Sequence, residues 1–434
     1  LYPDFLNSLP VQWKLLPVSE VCTFTAKPRA LNLDEFPELA FVPMDLIPTG
    51  RLTFSNYILK RPTEISSGTY FEEGDLLVSK ITPCFENGKQ GIAQAIPNGF
   101  GIATTEVIPL KPRAGLIHLP FIAYYLLHHE VRHQLAAAME GATGRRRLSK
   151  DLLAEWPVPI PPPDEQRVIA HLLAMIQSAI EVEAAICDKL VALKSATMAK
   201  LFREGLRGEP LKQTEIGEIP ESWEVVRIGD HCTRMNYGTS QRCTTQLASY
   251  PVLRIPNIIH GTIETTDLKY AQPGDLTEKE IEKLRLEPGD LLFVRTNGNR
   301  EYTGRCAVYE GCPEGALFAS YLIRVRLSGD VLVPHFVQQF LSEVGREQIA
   351  GRANPAADGK FNIDTSILRS LAIPRPPKSE QQEIISILAA LDERRRLAQE
   401  KSAALQRLFS SLLHALMTGA IRVKDLDLAE VSRA

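Results

Sequence analysis

The strongest constraint on this chain is that it compares well with itself at a shift of 210 to 215 residues. Such a period means one structural unit made twice. LPVQWKLL (9 to 16) matches IPESWEVV (219 to 226), setting Trp13 on Trp223, and EEGDLL (72 to 77) matches EPGDLL (287 to 292). LAEWPVPIPPPDEQ (153 to 166) matches LRSLAIPRPPKSEQ (368 to 381), and LRG (206 to 208) keeps the 215 shift with IRV (421 to 423). Between these anchors the halves diverge. The pattern is a shared frame around two different insertions, as expected when two domains do related jobs on different targets.

Each half closes with a Pro-rich strap followed by a long segment free of Pro and of interior Gly. Pro161 to Pro163, and Pro374, Pro376 and Pro377, hold extended backbone until Asp164 or Ser379 can cap a helix. In the first helix apolar positions recur at Ile169, Leu172, Ile176, Ala179, Ile186, Leu190 and Leu193, interrupted by Glu183. The second gives Ile384, Ile387, Leu391, Ala398, Leu405, Leu408 and Leu412, interrupted by Arg394 and Lys401. Roughly 40 residues make each helix about 60 Å long, which suits a coiled coil better than one small domain. Antiparallel pairing would give the duplication a pseudo-dyad, and one register sets Glu183 opposite Lys401. The alternative reading leaves both on the coil's wet flank. The remaining segments, about 1 to 160 and 209 to 375, read as mixed α/β. Strands are expected at 75 to 81, 91 to 96, 290 to 296 and 321 to 327, mainly in antiparallel sheets, with helices at 120 to 139 and 334 to 350.

Composition narrows the class. Lys plus Arg number 49 against 52 Asp plus Glu, a formal charge of −3, which excludes a strongly basic coat protein. Seven scattered cysteines without a C-x-x-C pair argue against a disulfide framework or zinc ribbon and for a reducing, cytoplasmic setting. No apolar run approaches the ~18 residues of a membrane span, and the first residues lack signal-peptide order, so no membrane association is expected.

Catalytic apparatus is scarce. His129-Glu130-Val131-Arg132-His133 fits H-E-x-x-H, the zinc-peptidase motif, but no third ligand is evident and the second half carries Glu343 and Glu347 at the matching places. A solvated helix face is the better reading, and no metal is expected. Gly359-Lys360-Phe361 lacks the form of a phosphate loop. No G-x-G-x-x-G follows a strand, and no N-P-P-Y or D-P-P-Y element is present for methylating an exocyclic amine. Cys306 and Cys312, with no His beside them, read as packed or exposed thiols.

The insertions carry the binding chemistry. In the second, Arg295, Thr296, Asn297, Asn299, Arg300, Tyr302 and Arg305 alternate with turn formers directly after a strand. Arg can hold guanine and Asn adenine through paired hydrogen bonds, and glycines let backbone approach phosphate. The first insertion offers Lys80, Thr82, Asn87, Lys89 and Gln90 in the corresponding place, with Arg145, Arg146 and Arg147 aligned on Lys360, Phe361 and Asn362. Any one of these could be a solvated loop charge; two equivalent sets argue for DNA contact, with the two readers recognising different targets. A chain at −3 should bind DNA weakly alone, so partners are expected to complete the clamp.

The IPESW opening, the E-x-G-D-L-L strand, the strap IP-x-PP-x-x-EQ and the long helix after it, present twice or nearly so, resemble the type I restriction-modification DNA specificity (S) subunits over essentially the whole chain. The first half departs with LPVQW for IPESW and an arginine run where the second has KFN. The resemblance implies an α+β chain with two mixed α/β target-recognition domains in tandem pseudo-repeat (1 to 160 and 209 to 375), separated by conserved helices (161 to 208, and 376 to 434 with the tail) that form an antiparallel coiled coil. It implies no catalysis by this chain. Its partners would be double-stranded DNA, two methyltransferase M subunits and restriction R subunits, with S-adenosylmethionine used by M and ATP with Mg²⁺ by R. The site read would be asymmetric and bipartite. Two other classes compete: a protein-binding scaffold or antirestriction mimic, and a zinc hydrolase using residues 129 to 133.

Overall fold

A computed structural model describes residues 2–142, 144–247, 250–259, 261–272, 274–355 and 359–425. The chain divides into two compact units, one made of residues 1–186 with 398–434 and the other of 187–397. Each therefore holds one mixed α/β region together with half of each long helix, a division that runs through the helices, whereas the sequence boundaries lie at their ends.

In the first unit a five-stranded sheet is ordered Cys22–Phe24, Val107–Pro112, Leu76–Ser79, Gln90–Ala93, Thr53–Phe54. Beside it lies a four-stranded sheet built on Leu39–Val42 and Phe100–Ala103. Two pairings are parallel, Ala40 to Val42 with Gly101 to Ala103 and Thr53–Phe54 with Ile92–Ala93, and the others in these two sheets are antiparallel, so the pairing is mainly antiparallel as expected. The second unit repeats the central part with Cys232–Tyr237, Leu322–Leu327, Leu291–Val294 and Cys306–Val308 in one sheet. Strands at both E-x-G-D-L-L sites are buried on both faces, which explains their unbroken apolar runs.

The motif before each strand is a turn. Gly74 and Gly289 take φ of +86° and +93°, a conformation open mainly to glycine. The aspartate after each glycine then accepts the N–H of the glutamate three residues back, Glu72 to Asp75 at 2.8 Å and Glu287 to Asp290 at 2.9 Å.

The duplicated Glu-Gln after each strap closes each unit. Glu165 accepts the indole N–H of Trp13 (3.1 Å), and Glu380 that of Trp223 (3.2 Å), all four being buried. Gln166 accepts from His118 N (2.7 Å) and donates to the carbonyls of Leu116 and Pro161; Gln381 accepts from Val333 N (2.8 Å) and donates to Val331 and Pro376. One glutamine thus ties strap, loop and the N-cap of an earlier short helix. The 215-shifted tails finish each site, Arg422 on Glu165 (2.7 Å) in the first unit and Leu206 N on Glu380 (2.8 Å) in the second. Burial works to raise the Glu165 carboxyl, but Arg422 and Trp13 outweigh it and hold its pKa below the ordinary value.

The long helices span Pro163–Glu204 and Lys378–Met417. They begin one residue before Asp164 and Ser379, the first on Pro163, suited to a first helical position whose N–H has no intrahelical partner, and the second on Lys378, directly after Pro377. Within the first unit Lys401 pairs with Glu183 at 2.6 Å; within the second Lys194 pairs with Asp392 at 2.7 Å. Among the expected seam positions Ile169, Glu183, Leu190, Ile384 and Ala398 are buried, and Leu172, Ile176, Ala179, Ile186, Leu391, Leu405 and Leu412 are half-buried. Leu193, Ile387 and Leu408 are instead 51%, 38% and 47% exposed, and Lys401 is exposed around its ion pair. The packed stripe steps by four there, to Lys194 and Met198, to Leu388, and to Phe409 and Leu413. At 3.6 residues per turn a 3-4 pattern has two phases, and apolar residues one position apart do not say which faces inward.

Two further expectations change. The helix at 120 to 139 is two, Leu119–Leu127 and His129–Ala137, broken at His128; the one at 334 to 350 is likewise two, Pro334–Ser342 and Arg346–Ala350. The break leaves the Leu126 carbonyl, at the end of the first piece, open to buried Arg132 (2.6 Å), which also donates to Phe85 O and Gln90. The first long helix also contains an 18-residue window of mean hydropathy 1.5, long and apolar enough by length and composition to cross a membrane, with 28% of it buried. It reaches that average although His171, Gln177 and Glu183 interrupt its apolar positions, which is why no unbroken run was visible.

Candidate nucleic-acid interface

In the second unit the interior strand Leu291–Val294 ends just before Arg295, and the chain pairs there with a segment some 65 residues later: Thr296 lies opposite Asn362 and Asn297 opposite Phe361. The two sequence-predicted sets thereby become one corner. Arg295 lies over the Tyr237 ring at 4.7 Å, Arg305 over Tyr302 at 3.9 Å, and Arg300 over Phe361 at 5.9 Å. Stacking keeps a guanidinium plane oriented while its edge stays able to donate. Asn297 and Asn299 use their carbonyl oxygens locally, accepting from Asn299 N and Glu301 N at 2.9 Å each, so they shape consecutive turns as well as presenting amides. Arg300 and Tyr302 are exposed, as is Lys360. Arg305 also lines a groove with Glu301, Arg346, Lys194 and Asp392, so it lies toward the helices.

The first unit has the equivalent corner with different chemistry. Thr82 N donates to Arg146 O (3.1 Å), Leu148 N to Lys80 O (2.7 Å), and Ile81 bridges to Arg147. Arg147 forms a two-point ion pair with Glu106 (2.6 and 3.1 Å), whose carboxyl is held below its ordinary pKa first by that hydrogen bond. Arg146 is 3.5 Å from Glu86, which also accepts from the Thr82 hydroxyl. The arginine run is therefore largely neutralised, and among the described residues Arg145 alone of the three is exposed without a carboxylate partner. Lys80, Arg147 and Lys150 line a cleft with Phe24, Thr25 and Thr69. Asn87 lines a different one, beside Gln177 and Phe409 of the long helices, and Lys89 is half-buried.

Gln90 does not belong to either surface. It is 3% exposed, donates to Ala123 O (2.7 Å) and accepts from Arg132 (3.0 Å), a core role that a polar residue next to a turn did not reveal. Conversely, sequence reasoning missed Tyr237. Nothing local marks it; strand pairing sets Tyr237 and Phe293 on either side of Ile323, two residues before Arg295. Exposed Tyr321, whose carbonyl accepts from Arg295 N, was missed for the same reason.

The family model described as the type I restriction modification DNA specificity domain matches this chain twice, over residues 10–191 and 220–407. The chain belongs to that family. Membership makes it the non-catalytic, DNA-binding specificity subunit that docks methyltransferase subunits. This specificity subunit is 25% identical to the type I restriction enzyme EcoEI specificity subunit of Escherichia coli, over 88% of this chain and 77% of that one. It is 23% identical to the EcoKI specificity subunit of Escherichia coli strain K12, over 87% and 82%. In fold it is similar to a chain solved in work on complex assembly and conformational transition of a type I R-M system, with TM-score 0.58 at 18% identity, covering 95% of this chain and 99% of that one. It is also similar to the S subunit from M. genitalium, with TM-score 0.54 at 14% identity, covering 94% and 96%. The turns, straps and Glu-Gln closures are thus the frame that the two halves of this specificity subunit share, and the two stacked or paired basic corners are what differs between them.

Proposed function

We propose that the two corners read the two parts of an asymmetric, bipartite duplex site, and that the long helices pair antiparallel as a coiled coil that sets the spacer between them. The observation that carries this is the repeated juxtaposition, residues 295–297 with 361–362 and 80–82 with 145–147, built on one frame with unlike side chains. Support for the antiparallel sense comes from each unit separately. In the first, Glu165 meets Arg422 while Glu183 meets Lys401; in the second, Lys194 meets Asp392 while Leu206 meets Glu380. In each case later residues of one strand of the pair meet earlier residues of the other.

The apolar residues left outside the packed stripe, Val182 and Leu408 in the first unit and Val191, Leu193, Ile387 and Leu397 in the second, suit the docking of methyltransferase subunits. Those subunits would supply S-adenosylmethionine chemistry, and restriction subunits ATP and Mg²⁺; work on chromosomal DNA would place the complex in the cytoplasm. The base to be methylated would be flipped out of the stack, with the corners contacting flanking pairs. A mimic or scaffold would call for acidic corners. The stacked arginines favour nucleic acid.

Mapping of methylated adenines in cells carrying this chain with its methyltransferase should reveal a two-part motif that is absent without it. Deleting one heptad from each helix, around 183 to 190 and 398 to 405, removes about 10 Å of rise and should shorten the spacer while both half-sites stay the same. An unaltered spacer in the methylome would count against the ruler. In the assembled complex, Arg295→Ala should weaken binding by about 1–3 kcal/mol through one half-site, and Arg145→Ala through the other, when each half-site is scrambled in turn in competitor duplexes. Equal sensitivity to both scrambled halves would contradict independent readers.

A further inference from the structure

The first unit gathers three imidazoles and a carboxylate at one point, where no metal was expected, and the set that meets is not the two histidines of H-E-x-x-H. His128 occupies the break between Leu119–Leu127 and His129–Ala137; His129 and Glu130 open the second piece; His414 comes from the last turn of Lys378–Met417. His133 points to solvent and takes no part. His128 Nε2 is 3.0 Å from His414 Nδ1, His129 Nε2 is 3.6 Å from Glu130 Oε1, and Glu130 Oε1 is 3.9 Å from His414 Nδ1. All four donor atoms lie within 4.8 Å of one another.

We propose that His128, His129, Glu130 and His414 form a structural site for a divalent transition ion of the zinc class, joining the α/β region to the end of the second long helix.

Zinc bound at about 2.0–2.1 Å in a tetrahedron holds its donor atoms about 3.3 Å apart, a separation the distances here straddle. The longest, 4.8 Å, closes by side-chain rotation, since the His129 and His414 side chains are 72% and 47% exposed. His128 is the fixed member, fully buried and edge-on to the Phe5 ring at 4.8 Å. Three nitrogens and one oxygen fill four positions and leave none for a reacting water, so the site is structural and not hydrolytic. The cation also meets the negative end of the long helix at His414, which opposes the positive end of the short helix that begins at His129.

The set belongs to the first half alone. At the 214 and 215 shifts the second half has Ser342, Glu343, Val344 and Ala199, a single donor. The cluster is thus no part of the duplicated frame. A bound ion would fix the first recognition region on the helix independently of the Glu165 closure, with no counterpart in the second unit.

The test uses the full chain, stripped with chelator and titrated with Zn²⁺ alone, then with Co²⁺ as a spectroscopic probe. One equivalent should bind, Co²⁺ should give the visible bands of a tetrahedral nitrogen and oxygen site without thiolate charge transfer, and Zn²⁺ should raise the melting temperature. His129→Ala and His414→Ala, both at exposed positions, should weaken binding by more than the 10- to 100-fold that loss of an outer-shell partner brings, with His133→Ala unchanged. Affinity equal in wild type and both variants, thiolate bands from the cysteines, or no saturable binding would overturn the site.

Discussion

Asp290→Asn should lower the stability of the second unit by about 3–5 kcal/mol, the range for removing one partner from a buried ion pair. Asp75→Asn, at the same place in the same motif, should leave the first unit as stable as before or more so at neutral pH. Both aspartates are buried and close the same turn. Their surroundings differ. Arg326 holds Asp290 with two bonds of 2.7 Å, and fully buried Arg324 lies 3.8 Å away. Arg324 also donates to Asn236, Arg285 O and Lys283 O, and burial brings its pKa down to about 10. Neutralising Asp290 leaves buried Arg324 without its anion and Arg326 with Glu287 alone. At the 215 shift Arg326 becomes Lys111, which pairs with Glu72, and Arg324 becomes Pro109. Asp75 therefore has no arginine. Burial raises its pKa above the ordinary carboxylate value, against the hydrogen bond from Glu72 N, the neighbouring Thr25 hydroxyl and the Lys111 charge. The sign follows: the folded state favours protonated Asp75, so its contribution is full below the unfolded carboxylate pKa and is lost as pH rises through the folded one. An asparagine removes that loss. Hydrogen exchange of Leu76–Ser79 and Leu291–Val294 in the full chain reads both units at once, and equal destabilisation by the two variants would refute the asymmetry. The functional consequence is local, because Leu291–Val294 carries Arg295.

The second large effect is expected for Gln381→Leu, with a loss of about 3 kcal/mol or more from the second unit. Leucine matches the volume but strands Val333 N–H and the carbonyls of Val331 and Pro376 in a site where Gln381 is 0% exposed. Each such buried group forgoes about 1–3 kcal/mol. Gln166→Leu should act equally on the first unit through His118 N, Leu116 O and Pro161 O. Each variant should expose only its own unit's amides to exchange. A change under 1 kcal/mol would mean that water replaces the glutamine, and the strap closure would then carry little of the fold.

Residue pattern alone yielded the duplication, both long helices and the buried strands after each turn, because each is written in local spacing or in a repeat; the basic segments were visible separately, and only strand pairing made corners of them. The straps were legible as proline; that the following Glu-Gln closes them onto Trp13 and Trp223 was not, since the partners lie more than 150 residues apart.

Sequence by itself determined that this chain is one frame used twice, with different basic insertions and two long amphipathic helices. Periodicity and composition suffice for that, because they report each residue's own preference for helix, strand or turn. Only the tertiary structure decided which phase of each helix packs, leaving Leu193, Ile387 and Leu408 outside, and which arginines of a run are already paired, as Arg147 is with Glu106. It alone brought His414 to His128. Those outcomes depend on neighbours distant along the chain, and a side chain's charge or burial is set by what surrounds it, which no local pattern encodes.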